Sequence, residues 1–425
     1  MAARWPSKSV RSIKAKFLCA AGVTASLTLR IGSAYAQEAL RYSLAGEAAA
    51  ESKRLQLQNQ PYTFKTGDFR VLLTPSVGLD YNDNIRLVKN DPQDDFVIRP
   101  GLSIDASYPL TQRNLLQVDV TLGYDKYISH DELSHWRVSS GSALSFDFYT
   151  GDFAFNVHDR FSYTQDSATE AAVANTGTYG NWQNIAGISG TWDLEDVTLN
   201  LGYDHQNYYS TTSGFDYTDH TSEMLVTRAG LKLNPRLTAG VEGSGSFTTY
   251  DQRILNDNNG FSAGVYGEWK PGTSFTASPR FGYTIYDFSQ TSRVIKAEDQ
   301  NTWYAALTVT HAPTEVISYS VSAGHELRLG IQSDAIEDTY FRPAITWNIF
   351  KNVSIQTSAF YEHGSSTGGI RETYDWYGGQ LSMSYSPAKR VNLSLSYRLT
   401  LRSSDDPSRE YAQNLVGLLV AYRPQ

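Results

Sequence analysis

Five arginines stand at similar positions in alternating segments of the chain, six to nine residues from a tight turn: Arg160, Arg228, Arg280, Arg342 and Arg398. A second group, Arg99, Arg137, Arg328 and Arg402, lies toward the opposite ends of its segments. Acids share their phase, among them Asp105, Asp119, Asp147, Asp204, Glu242, Glu268, Glu326 and Glu362. A guanidinium fork matches carboxylate and sugar oxygens, so these arginines have two readings. They form an electrostatic track for an anionic or hydroxyl-rich polymer, or a ladder of arginine–carboxylate pairs that holds a wall in shape. Comparable numbers of each sign favour the ladder.

Catalytic readings find less support. The eight histidines are scattered, His158, His205 and His325 among them, with no His-Glu-x-x-His spacing. No Ser/His pair or pair of aspartates is set apart from its surroundings. The single cysteine, Cys19, lies in the amino-terminal leader, which excludes a disulfide framework or thiolate metal site from the rest. We expect no enzyme and no cofactor. Asp80, Asp83 and Asn84 in "DYNDN" offer oxygens to calcium, but they lack a twelve-residue ligand pattern and Asx residues end strands for backbone reasons alone. The turn reading is favoured.

The elements that carry the charges alternate with a period of two. Val71, Leu73, Pro75, Val77, Leu79 and Tyr81 form one face of a segment that stops at Asn82-Asp83-Asn84. Val391, Leu393, Leu395, Tyr397, Leu399 and Leu401 interleave with Asn392, Ser394, Ser396, Arg398, Thr400 and Arg402. Such spacing gives a strand one apolar and one polar face. Eighteen such segments are expected, near 69–81, 96–109, 115–127, 136–149, 153–165, 182–192, 197–209, 223–233, 236–249, 260–269, 273–288, 302–311, 315–330, 339–349, 352–363, 372–385, 391–402 and 410–423. Most are ten to fourteen residues long, against about five or six for a globular strand and about nine to eleven for a tilted bilayer-crossing one. Length selects the membrane.

Connections support this. Tight turns such as Thr150-Gly151-Asp152, Asn234-Pro235 and Ala312-Pro313-Thr314 alternate with longer loops such as "QDSATEAAVANTGTYG" and "DQRILNDNNG". Outer-membrane barrels have this asymmetry. The hairpin repeat of about forty residues also suits a propeller, but a blade divides that length into four short strands. Aromatics on the apolar phase form two bands, with Tyr108, Trp192, Trp269, Trp347 and Tyr385 near tight turns and Tyr81, Tyr124, Trp136, Tyr203, Tyr283, Tyr361 and Tyr377 near long loops. Girdles at both bilayer interfaces have this arrangement.

The amino-terminal end reads as a leader. Arg4, Lys8, Arg11, Lys14 and Lys16 precede a mostly apolar run, Phe17 to Leu29, and Ala34-Tyr35-Ala36 provides an A-x-A site. We expect a signal peptide over 1–36, a helical periplasmic segment over 37–68 with its helix near 38–57, and the barrel over 69–425. Removing the six basic residues of the leader leaves 30 basic against 44 acidic ones, a net of −14. That balance disfavours nucleic acid. No run of eighteen apolar residues follows the leader, so any span is built from strands.

The expected fold is therefore all-β, a transmembrane antiparallel up-and-down barrel of about eighteen strands. The expected location is the outer membrane of a Gram-negative bacterium, with both termini periplasmic and with lipid, lipopolysaccharide and the barrel-insertion machinery as partners. Gly417, Val420 and Tyr422 resemble the terminal-strand signal that such machinery reads, although Leu415 replaces a polar residue and Arg423-Pro424-Gln425 follow the aromatic. The polar phase lines the lumen, so Arg160, Arg228, Arg280, Arg342, Arg398, Asp119, Asp204 and Glu242 are the lumen-lining candidates.

The first strand, "LLTPSVGLDYNDNI", and the long alternating strands after it resemble the β-barrel porin type 2 family, whose members include proteins encoded with exopolysaccharide biosynthesis genes. The resemblance implies an outer-membrane conduit for exopolysaccharide export, working beside a periplasmic polysaccharide-export protein. One alternative is a general diffusion porin, in which the longest loop, about 166–181, folds inward to narrow the lumen. Another is a lumen-blocked structural or adhesion barrel.

Overall fold

The structure, a computed structural model, describes residues 62–423 except residue 112. The signal peptide over 1–36 and the helix near 38–57 lie outside the described residues. Eighteen strands run alternately up and down. They are β1 Phe69–Asn82, β2 Asp95–Pro109, β3 Leu115–Tyr127, β4 in two pieces, His135–Val138 and Ala143–Thr150, β5 Phe153–Thr164 and β6 Asn181–Leu194. Then follow β7 Val197–Ser210, β8 His220–Asn234, β9 Leu237–Tyr250, β10 Asn258–Trp269, β11 Phe275–Phe288 and β12 Gln300–His311. The last six are β13 Ile317–Leu329, β14 Ser333–Phe350, β15 Val353–Gly369, β16 Thr373–Ala388, β17 Val391–Ser404 and β18 Tyr411–Tyr422.

The sheet closes on itself. β1 pairs with β2 through Leu79↔Ile98 and with β18 through Val77↔Val420 and Asp80↔Gly417, all antiparallel. Closure leaves no barrel strand with an open edge, the condition for placing backbone amides in hydrocarbon. A short strand, Phe64–Thr66, folds back on the start of β1.

The alternation of the sequence becomes an inside-out barrel. Leu201, Val241, Phe281 and Leu395 are 64%, 57%, 57% and 55% exposed on the outer wall, while intervening polar residues face inward. The aromatic bands stand on that outer wall, with Trp269, Trp347 and Tyr385 exposed at one end and Trp136, Tyr203 and Tyr361 at the other. Buried apolar side chains instead gather beneath the long loops. One cluster joins Leu87, Ala171, Val173, Ile336, Phe360, Trp376 and Tyr411.

Two strand expectations change. The segment expected at 136–149 is broken by Ser139-Ser140-Gly141-Ser142, so that Val138 pairs with Tyr163 but Ala143 with Arg160. The step is a bulge closed by Ser142 N donating to Ser139 O, and the buried Ser142 hydroxyl accepts Thr121 N at 3.1 Å. The segments expected at 339–349 and 352–363 extend as β14 and β15 to Ser333 and Gly369. The added residues read as loop because most are polar or glycine, yet Asp334 is buried where its carboxylate accepts Asn256 N and Nδ2 at 3.1 and 2.8 Å. The "DYNDN" oxygens are used in the turn. Asn82 Oδ1 accepts Asn84 N, and Asp83 Oδ1 and Oδ2 accept Asn414 N and Nδ2.

Candidate functional site

Between β5 and β6 the chain leaves the wall at Gln165 and returns at Gly180. Half of that excursion spans about 25–30 Å when extended, enough to reach deep into the lumen. Its base is closed by Tyr179 N donating to Gln165 O. Asp166 caps a short 3-10 turn, Ser167–Thr169, by accepting Ala168 N. The following Ala171-Ala172-Val173 is small and apolar, so it fits against the large side chains Phe360, Tyr374, Trp376 and Tyr411 of β15, β16 and β18. Dispersion over such a tight contact is individually small and collectively large.

Three arginines clasp the excursion. Arg328 Nη1 of β13 donates to Glu170 Oε1 at 3.0 Å, Arg402 Nε of β17 to Ala171 O at 2.7 Å, and Arg409 Nη2 to Ala172 O at 2.6 Å. Asn175 and Leu87 both adopt positive φ, 59° and 52°, and Asn175 N donates to Leu87 O. The Asn175 amide also donates to Ser408 O. On the near wall Tyr179 and Tyr208 share a hydroxyl hydrogen bond of 2.6 Å. Burial pushes the Tyr179 hydroxyl well above the ordinary tyrosine range, which keeps it protonated for that bond.

The wall charges are paired, and repeatedly one carboxylate holds two arginines. Glu242 of β9 receives Arg228 of β8 at 3.2 Å and Arg280 of β11 at 2.9 Å, and also accepts Tyr304 Oη. Glu362 of β15 receives Arg328 at 3.1 Å and Arg342 at 3.0 Å. Glu372 receives Arg402 at 2.7 Å and Arg409 at 2.9 Å. Asp125 lies 3.5 Å from Arg99 and 3.4 Å from Arg137, with Asp80 a further 2.7 Å partner of Arg99. Glu242, Glu362 and Glu372 are buried, and a buried charge is tolerated only when it is paired this closely.

Tyrosines hold several of these arginines flat to the wall. The Arg228, Arg342 and Arg402 guanidiniums lie 4.9, 4.6 and 4.6 Å from the ring centres of Tyr266, Tyr340 and Tyr374. Each ring is seated over a glycine directly opposite in register: Gly240↔Tyr266, Gly324↔Tyr340 and Gly364↔Tyr374. A Cβ at position 364 would sit 2.3 Å from the Tyr374 ring, so only glycine admits it. The cation–π contact adds to the ion pair.

The lumen-lining candidates divide into groups. Arg228, Arg280 and Glu242 form one site, and Arg342 joins the Glu362 site. Arg160 and Asp204 meet at His158, whose Nε2 lies 2.9 Å from Arg160 Nη2 and 2.7 Å from Asp204 Oδ1. Asp119 lies opposite Asp105 in register, and Arg398 is buried between β16 and β18, where its Nε has no hydrogen-bond partner among the described residues. Glu170, Glu372, Arg409 and the wall tyrosines are absent from the sequence-based set. The first three lie outside the periodic core of the strands, and a Gly–Tyr pair becomes visible only once register is known. Among the described residues no group of three or more His, Cys, Asp and Glu is placed to hold a metal ion.

A family model described as "Putative beta-barrel porin 2" matches residues 59–423, and the chain belongs to that family. No curated protein matches it. Among solved structures it is similar to the Pseudomonas aeruginosa outer membrane protein OpdK, at 10% identity and TM-score 0.45, covering 83% of this chain and 98% of that one. It is also similar to OccK2 (OpdF) of the same organism, at 10% identity and TM-score 0.49 over 84% and 97% of the two chains. OpdL matches at 12% identity and TM-score 0.46 over 84% and 99%. The protein is a porin-type barrel of the outer-membrane class.

Proposed function

We propose that the barrel is a diffusion channel for small hydrophilic solutes, with its long-loop end facing outward, both chain termini periplasmic and residues 165–180 setting its constriction. The observation that carries this reading is the clasp of that excursion by Arg328, Arg402 and Arg409. A wide barrel passes polymer or leaks unless something narrows it. Here the narrowing element is held by buried charge-assisted bonds, which are stronger than neutral ones. The arginine–tyrosine wall supplies fixed donors and flat rings along which polar solutes exchange their water.

Exopolysaccharide export, implied by the resemblance of the first strand, needs a lumen clear along its length. The same excursion would have to leave the lumen for a polymer to pass, and breaking its clasp leaves Glu170 unpaired. Solute passage is therefore the reading that the geometry favours. Liposomes containing the purified barrel test it by swelling in sugars of rising size. We expect swelling in mono- and disaccharides and none in long oligosaccharides. Equal swelling in long oligosaccharides would restore the polymer conduit, and no swelling in any sugar would support a blocked barrel.

A further inference from the structure

Every barrel strand has two neighbours, but β12 and β13 part before either ends. Their pairing runs from His311↔Tyr319 to Ala305↔His325 and stops there. β12 goes on from Tyr304 to Gln300 paired only with β11, and β13 goes on from Glu326 to Leu329 paired only with β14. The two ends overlap instead of meeting. Leu327 and Leu329 continue the outward phase of Tyr319, Val321 and Ala323, yet they are only 4% and 6% exposed. They cluster with Tyr286 and Phe288, which share the inward phase of β11 with Arg280. Glu337, on the outward phase of β14, likewise meets Thr302, on the inward phase of β12, whose Oγ1 donates to Glu337 Oε1 at 2.9 Å. The outer end of the β13–β14 hairpin therefore lies inside the wall, behind β11 and β12. It carries part of the clasp, because Arg328 reaches Glu170 from its lumen face and Asp334 near its tip accepts Asn256 N.

We infer that this outer end is a flap with two seats, the inward one just described and a second on the free edge of β12. In the second, Glu326–Leu329 zips onto β12 by continuing the existing register. Continuation from Ala305↔His325 sets Leu327 opposite Trp303 and Leu329 opposite Asn301, all outside. It sets Glu326 opposite Tyr304 and Arg328 opposite Thr302, all inside. The alternation of β13 is then that of a lipid-facing wall strand to its last residue, which is what its sequence specifies.

Two features of the flap suit movement. Pro343 has no N–H, and the β14–β15 pairing skips Arg342 and Pro343 between Phe341↔Tyr361 and Ala344↔Ser358. That gap is the hinge. Asp338, on the lumen face of the flap, is fully buried, and neither of its carboxylate oxygens has a hydrogen-bond partner among the described residues. In the wall seat this carboxylate faces the aqueous lumen, which relieves the cost of burying it. The free edge itself is tolerable while the flap is inside. Gln300–Thr302 lie beyond Trp303, which pairs with the girdle residue Tyr283, so their amides meet water and not hydrocarbon.

The effect on current rests on the solute reading. With the flap on β12, Arg328 withdraws from Glu170 and the lumen widens, so the wall seat is the wider state. The wild-type flap rests inside and visits the wall seat in brief openings.

No cysteine lies in residues 62–423, so introduced pairs in the full barrel are read cleanly. Asn301→Cys with Leu329→Cys traps the wall seat, and Leu307→Cys with Ala323→Cys, opposite each other in the existing register, is the control. We expect both pairs to form a disulfide under mild oxidation. The oxidised 301–329 barrel should conduct several-fold more in a planar bilayer, and reduction should reverse the gain. A 301–329 pair that stays reduced while the control closes would overturn the proposal, as would an oxidised pair with unchanged conductance. Phe288→Ala and Trp303→Ala decide the matter if the double variant does not fold. The first removes packing from the inward seat and the second from the wall seat, so openings should lengthen several-fold in the one and shorten in the other. A shift in the same direction for both, or none, would overturn the flap. Cross-linking is read on a gel without any current, so a pair that stays reduced leaves the wild-type sugar swelling untouched, and absent swelling leaves the cross-link result standing.

Discussion

Glu170 and Arg328 meet at 3.0 Å although one leaves the wall between β5 and β6 and the other stands on β13. The contact joins the two sides of the lumen. It also joins the excursion to the wall network, because Arg328 simultaneously holds Glu362 and donates to the Tyr374 hydroxyl at 2.5 Å. The excursion and the barrel wall are thus one connected set of charges.

Arg402→Met should therefore affect both stability and current. Arg402 is buried and donates to Ala171 O and Glu372, so its loss leaves a carbonyl and a carboxylate short of a partner. We expect a loss of about 3–5 kcal/mol in urea unfolding from lipid vesicles, with part of it restored when Glu372→Leu is added. The single variant should also show more frequent open events, since one of three clasps is gone.

Glu242→Gln should change selectivity as well as stability, because it leaves two mostly buried guanidiniums without their shared charge. The substitution removes the charge shared by Arg228 and Arg280 and leaves their guanidiniums in place beside Tyr266 and Tyr304. Reversal potentials in a salt gradient should move toward anions. Arg280→Gln should move them the opposite way, and a common direction for both would show that these residues do not face the conducting path.

The lipid face should respond to depth. Leu201, 64% exposed, stands near the middle of β7, whereas Trp136, 68% exposed, stands at the long-loop girdle. Leu201→Arg should cost about 2–4 kcal/mol and Trp136→Arg about 0–1 kcal/mol beyond the loss of the ring, measured by refolding into lipid vesicles. Equal costs would contradict the assigned membrane position.

Gly282→Ala should destabilise the wall by about 1–3 kcal/mol, because a Cβ there meets the Tyr304 ring at 2.4 Å. Adding Tyr304→Ala should recover part of the steric loss while freeing Glu242 from one donor. Thermal unfolding of the three variants checks this.

The strands were legible because period, length and turn chemistry agree from Val71 to Tyr422, and each strand could be read without knowing its neighbours. The sites were less so. Arg228, Arg280 and Glu242 were identifiable as inward residues, but that they share one carboxylate depends on register between β8, β9 and β11, which no local pattern sets out. An inward fold of the longest loop belonged only to the alternative reading as a diffusion porin, on length alone, and its clasp was not read at all, because Glu170 and Arg409 lie in stretches without periodicity. The break at Ser139–Ser142 escaped for the opposite reason, as a short bulge hardly disturbs a fourteen-residue alternation.

The central claim is that residues 165–180 set the width of the path. Planar-bilayer recordings of the wild-type barrel and of a variant with residues 167–175 replaced by two glycines test it most directly. The account predicts small, steady wild-type currents and a several-fold larger conductance in the shortened form, with polysaccharide added to one side blocking only the latter. Equal conductance in the two forms would contradict it.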